Sequence, residues 1–322
     1  MMEGIMKRNE TIALFIGLFS EMLFGASFVF IKMVRDSISI FSLLAWRNIF
    51  GLIFMVFLIK AGVLKVDYRG KGLKPLLLLS LFQPVTYYIF ETAGVRMTTA
   101  SESGMLLACC PIITMCFAAA FLKDMPTRKQ ACFMVMTVAG GLLAAAVGGI
   151  RTSGNGFGYL FLLIAMCCEA SYAILSQSIR SFNSAEKTFA MVSAGTLVFT
   201  LLAAAEQIAV GNLKDFIFLP VHDKQFLIAV LFLSLGCNVI GFLCGNYVLP
   251  IIGATKRGAC GGFGTVVAIL GGVIILKESF LPLQMVATVL ILAGAYGVLF
   301  SSRPEPAVED RGEISKEREE NI

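Results

Sequence analysis

The sequence is poor in the residues that most chemistry needs. Among 322 residues there is one histidine, His222, and one tryptophan, and Asp, Glu, Lys and Arg together make up 15%, against about 25% in soluble domains. With no second histidine, no HExxH and no GxSxG, acid–base hydrolysis lacks its parts, and without a Gly-rich GK[ST] loop an ATP-driven cycle does too. None of the nine cysteines is spaced C-x-x-C, which argues against metal and redox chemistry. All nine fall in apolar runs, where they read as small hydrophobes rather than disulfide partners. The formal charge is +5, yet the cations flank apolar runs and gather on no one face, so no nucleic-acid partner is expected.

What the chain does have is apolar length. The hydrophobic fraction is 57% and the mean hydropathy +0.84. A bilayer-spanning helix takes about 20 residues, and ten such runs can be read, near 11–34, 39–59, 75–95, 101–122, 128–148, 158–179, 188–210, 226–249, 255–276 and 282–300. The expected class is an all-α integral membrane protein. The first run is too long for a signal-peptide core and no small-residue cleavage pattern follows it, so it is expected to stay in the mature chain. Counting Lys and Arg on alternate sides puts 18 within, including Lys187, Lys256 and Arg257, against 7 outside. Cytoplasmic loops retain positive charge, so both termini are expected in the cytoplasm, residues 1–10 among them, with the chain in the plasma (inner) membrane. Residues 301–322 are charged with almost nothing apolar and read as a disordered cytoplasmic tail.

The chain also repeats itself. At a constant offset of 154, Ala100 meets Ala254, Gly104 meets Gly258, Leu122-Lys123-Asp124 meets Leu276-Lys277-Glu278, Gln130 meets Gln284 and Ala139-Gly140 meets Ala293-Gly294. At an offset of 148, Glu21 meets Glu169 and Lys32 meets Arg180. Two five-helix halves follow, 11–149 and 158–300. Five is odd, so the halves enter the bilayer from opposite sides, related by an axis in the membrane plane. The stretch Pro111 to Gly141, with Phe121-Leu122-Lys123-Asp124, Gln130 and its glycine pair, resembles the repeat unit of the drug/metabolite transporter superfamily in its ten-helix EamA-type branch. Its second copy, from Gly258 through Leu276-Lys277-Glu278 to Gly294, resembles the unit more closely. The resemblance implies a ten-helix carrier of small organic solutes, often exported, with a central cavity lined chiefly by helices three, four, eight and nine. Two departures stand out: Asp124 where the family usually has Glu, and Glu21 in a first helix that is mostly apolar or aromatic in relatives.

Ionisable groups inside spans cost about 2.5–3.5 kcal/mol each at the helix centre, so each is a functional candidate. Glu21 and Glu169 lie near mid-bilayer and are repeat-equivalent. Glu169, Tyr172, Ser176 and Arg180 follow at helical spacing along one inward face. Gln83 and Tyr87 on the third span and Asn238 and Asn246 on the eighth complete the expected substrate-binding or coupling set, with interhelical bonding as the alternative for the amides. Arg47, Glu91, Glu102 and Glu206 cluster toward the outer side as a candidate gate, or as ordinary interfacial ion pairs. Asp124 and Glu278, each shortly before a Pro, read as caps of the following helices. No catalytic residue, metal or cofactor is expected.

The expectation is thus a secondary-active carrier for a small organic metabolite, an amino acid or related or drug-like solute, working by alternating access. Export and proton coupling through Glu21 and Glu169 belong to it. A channel or a transport-inactive sensor of the same fold is the alternative. Both halves sit in one chain, so a homodimer is permitted but not needed to build the cavity.

Overall fold

A computed structural model describes residues 2–122, 127–151 and 156–301; Asp124 and the expected tail after Ser301 lie outside them. The described chain is helical throughout, with no strand. In chain order the long elements are α1 (Met2–Met33), α2 (Ile40–Lys60), α3 (Lys74–Met97), α4 (Ala100–Phe121), α5 (Arg128–Arg151), α6 (Gly156–Ser178), α7 (Ser184–Val210), α8 (Lys224–Ala254), α9 (Gly261–Ile274) and α10 (Pro282–Phe300). Among the described residues seven helices are long and apolar enough to cross a membrane, and Gly261–Ile274 and Pro282–Gly297 are apolar but shorter. α1 starts well before the expected 11. A further short helix, Leu213–His222, occupies the expected loop before α8.

Local signals in the sequence account for the ends. Ser39 and Asp223 accept from the backbone N–H groups of Ser42 and Phe226 to start α2 and α8. Thr99 with Glu102 and Asn183 with Glu186 form reciprocal capping boxes at α4 and α7, each satisfying donors that a helix start leaves free. Gln130 and Gln284, paired in the repeat, reach back to the backbone N–H groups of Thr127 and Leu281 and so open α5 and α10 alike.

Several helices are broken in mid-course. In α3 the turn over Leu81–Thr86 widens, and Gln83 leaves the helical region (φ −145°, ψ 122°) ahead of Pro84, whose ring pushes the preceding residue toward extended backbone and removes a donor. The same widening recurs over Phe232–Gly241 of α8. α4 is interrupted between Leu107 and Cys110. The α8 helix carries on to Ala259 past a break at Gly253 (φ 77°, ψ 164°), a conformation open to glycine at little cost.

The packing pairs α2 with α7, α5 with α10 and α4 with α9, while α1 lies on α8 and α9 and α6 lies on α3 and α4. Exposed large apolar side chains such as Phe15, Phe57, Leu142, Leu197 and Leu201 face outward, the surface a bilayer covers. Two buried apolar clusters, around Tyr88 and Phe242 and around Phe28 and Phe226, fill the interior and contribute to the wall of an internal cavity.

Candidate functional site

The cavity lies where the broken helices meet. α1 contributes Glu21, Phe24, Gly25 and Phe28, α3 contributes Gln83 and Tyr87, and α6 contributes Glu169, Tyr172 and Ala173. α4 lines it through Gly104, Leu107, Cys110 and Thr114. α8 adds Phe242 and, at and beyond its Gly253 break, Ala254, Arg257 and Gly258, while α9 supplies Gly261, Gly264 and Thr265. Against the expectation from the resemblance, α1 and α6 contribute much of the wall and α8 little before its break. Helix interruptions beside such a chamber are tolerated because irregular backbone borders the cavity rather than lipid.

Five of the seven expected binding or coupling residues, Glu21, Gln83, Tyr87, Glu169 and Tyr172, are thus brought together. The two carboxylates have different neighbours. Glu21 is ion-paired through Oε1 with Nη1 of Arg257, a residue 6% exposed. Glu169 is faced by the Gln83 amide, and among the described residues no cation stands within ion-pair distance of it. Arg257 was counted as a cytoplasmic loop cation in the sequence; the structure places it inside, because the helix continues past the Gly253 break and carries the side chain inward. The guanidinium lies 6.0 Å from the Phe24 ring centroid. Gly245 packs beside it: a Cβ there would stand at ordinary contact distance, 3.4 Å from Arg257 Nη2 and 3.7 Å from the Tyr172 hydroxyl.

The two asparagines lie outside the cavity wall, in buried networks between helices. Asn238 Oδ1 accepts from Arg47 Nε at 2.9 Å and from the Tyr88 hydroxyl, while its Nδ2 donates to Asn48 Oδ1 at 3.2 Å. The Arg47 guanidinium also stacks 3.7 Å over the Tyr88 ring. Asn246 Oδ1 accepts from Tyr172 at 3.0 Å and Ser176 at 2.8 Å, and its Nδ2 donates to Thr188 at 3.1 Å. Tyr172 therefore belongs to both the cavity wall and this network. Lys187, also counted as a loop cation in the sequence, is buried and donates to the Ser176 carbonyl at 2.5 Å.

Of the four residues read as a gate, two meet. Arg47 and Glu91 approach to 3.8 Å, both buried, and the Tyr87 hydroxyl donates to Glu91 at 3.2 Å, which ties this pair to the cavity through Tyr87. Glu102 is engaged in the α4 capping box. Glu206 stands apart on α7, partly exposed. Glu278 corrects another expectation: its carboxylate accepts from the backbone N–H groups of Ala100 at 2.7 Å and Ser101 at 3.0 Å, so it caps α4 and not the helix that follows it.

A clasp that the sequence did not signal joins the loop after α2 to the start of α7. Lys71 Nζ lies 2.8 Å from each Glu186 oxygen, and the Tyr68 hydroxyl donates to the Glu186 carbonyl at 2.7 Å. Burial, and then the Glu186 charge, push the Tyr68 phenol up to about 12, so it keeps the proton it donates.

All-helical spans around an internal chamber whose wall carries Glu21, Glu169 and Arg257 mark a membrane protein with a solute-sized cavity, and comparison with known sequences narrows the class. The EamA-like transporter family, within the drug/metabolite transporter superfamily, matches residues 11–146 and again 156–300, and the chain belongs to it. It is 28% identical over 295 residues to the uncharacterized transporter YcxC of Bacillus subtilis (strain 168), covering 91% of this chain and 94% of that one. To the uncharacterized transporter YyaM of the same strain it is 25% identical over 242 residues, covering 72% and 75%. A solved crystal structure superimposes with a TM-score of 0.60 at 18% identity, covering 90% of this chain and 99% of that one, a likeness of fold.

Proposed function

We infer that the protein is a secondary-active carrier that moves a small organic metabolite across the plasma membrane by alternating access, in the export direction, with ten spans arranged as two inverted five-helix repeats. The observation that carries this reading is the cavity shared by both halves, with Glu21 of one and Glu169 of the other in its wall. The repeat is supported by the family's two successive matches, 11–146 and 156–300, and by the packing: exchanging the halves turns α1 on α8 and α9 into α6 on α3 and α4 and leaves α2 with α7, α5 with α10 and α4 with α9 as they are. The widened turns of α3 and α8 correspond in the same way. Two like halves that exchange conformations give inward-open and outward-open states of similar energy.

Within this reading Glu169 carries the coupling proton, since it is the cavity acid without a cation, and Gln83, Tyr87 and Tyr172 offer hydrogen bonds to the solute. Asn238 and Asn246 hold α8 against its neighbours, and Arg47 with Glu91 forms the outer gate, linked to the chamber by Tyr87. Both termini lie in the cytoplasm: with Lys187 and Arg257 removed from the count, the inner cations still number 16 against 7. Export rests on the habit of the family. The test is proton-gradient-driven flux in proteoliposomes, using a solute chosen by thermal-shift screening of amino acids, nucleosides, sugars and organic cations. Glu169→Gln is expected to insert normally and to lose the response to the gradient; unchanged flux and pH response would dispose of the coupling.

A further inference from the structure

Arg257 is an unusual group to find in this wall. It is a permanent cation, buried, with Nη1 against Glu21 and a buried Nε that finds no hydrogen-bond partner among the described residues. Gly258 and Gly261 line the cavity beside it, and Gly245 packs against its Nη2. The Glu21 carboxylate comes from α1 and the guanidinium from the segment before α9, so the ion pair bridges the two halves across the chamber. Phe24, Tyr172 and Phe242 make up an aromatic wall beside it.

We propose that Arg257 is the anchor for a carboxylate group on the transported solute, and that the Glu21 carboxylate holds that place when the chamber is empty. The proposal rests on the carrier reading above and extends it to the chemical class of the cargo. A guanidinium binds any carboxylate through the same planar array of donors, so a solute carboxylate and Glu21 compete for one partner. Docking of the solute frees Glu21 from the other half, which makes occupancy of the site and release of a cross-half contact the same event. Charge is conserved if one positive charge arrives with the anion, on the solute or as a proton on the freed Glu21. The fixed groups of the cavity are then as balanced as before.

The competition can be read without transport. Phenylacetate, phenylacetamide and phenethylamine share one ring and differ in charge, and the ring suits the aromatic wall. Binding of each to the purified full-length protein in detergent micelles is measured by thermal-shift titration. Glu21→Gln removes the internal competitor and is expected to bind phenylacetate about tenfold more tightly than the wild type does, with the amide unchanged. The double variant Glu21→Gln with Arg257→Gln leaves no charge orphaned, and is expected to keep its fold and lose the preference for acid over amide. Absence of an acid preference in Glu21→Gln, or its survival in the double variant, would overturn the proposal. Gradient-driven flux of a solute from the screen, measured in the same variants, separates this from failure of the carrier reading: flux retained with no acid preference removes the anchor alone, whereas absence of flux in the wild type removes the carrier.

Discussion

Glu21 and Glu169 occupy matching places in the two halves, yet their settings differ. Glu21 meets a guanidinium delivered by the chain beyond Gly253, whereas the residue that corresponds to Arg257 at the 154-residue offset is Ser103, a neutral group bonded to Thr98 and the Thr99 carbonyl. Glu169 has the Gln83 amide for company. The helix contacts beside them differ too. α1 crosses α9 with Gly25 against Gly264, so close that a Cβ on either would collide with the backbone opposite, while the matching positions at the α6–α4 crossing are Ala173 and Cys110. One of the two equivalent cross-half contacts has a glycine-on-glycine crossing and an ion pair; its counterpart has Ala173 and Cys110 at the matching points and an acid without a cation. Symmetry supplies the frame for two exchanging conformations, and departures from symmetry supply chemistry that a pair of identical halves would lack.

The comparison predicts unequal responses to mutation. The largest effect on stability is expected from Arg257→Met, which leaves the largely buried Glu21 (side chain 14% exposed) without its partner and should cost about 3 kcal/mol in thermal or denaturant unfolding. Next is Gly264→Cys, which gives the α1–α9 crossing the residue found at the matching point of the other half; overpacking of this kind costs about 1–3 kcal/mol, and a neutral result would mean that the two crossings are interchangeable. Glu278→Ala removes the cap on Ala100 and Ser101 and should cost about 1 kcal/mol. Smallest is Glu169→Gln, a near-isosteric change facing an amide, expected to alter stability by less than about 1 kcal/mol while abolishing the response of transport to a pH gradient. If Glu169→Gln destabilised as much as Arg257→Met, the proposed division of labour between the two acids would fail.

Much of this was legible in the amino-acid order, for identifiable reasons. Carboxylates in apolar runs are costly, so Glu21 and Glu169 stood out, and helical spacing carried Tyr172 with them into the cavity. The 154-residue offset paired Gln130 with Gln284 before their shared capping role was visible. Helical periodicity reports that a polar group faces inward, and does not separate a cavity wall from a helix interface; Gln83 proved to be in the first, Asn238 and Asn246 in the second. Arg257 was hidden for another reason. Lys256-Arg257 opens the ninth apolar run beside the loop before it, the usual place of cytoplasmic flanking cations, and nothing in the order of residues showed that α8 continues past Gly253 and carries Arg257 inward. Glu278 was misassigned because the helix that follows it in sequence is α10, whereas the free donors it meets in space are those of α4.

The most direct test of the central claim is counterflow. Proteoliposomes preloaded with an unlabelled solute from the thermal-shift screen are placed in a low concentration of the same solute carrying a label. A carrier that returns through alternate states must accumulate the label transiently above the outside concentration, and this overshoot is the predicted result. Uptake that only equilibrates, at a rate indifferent to the solute within, would contradict the account and mark the chamber as a pore.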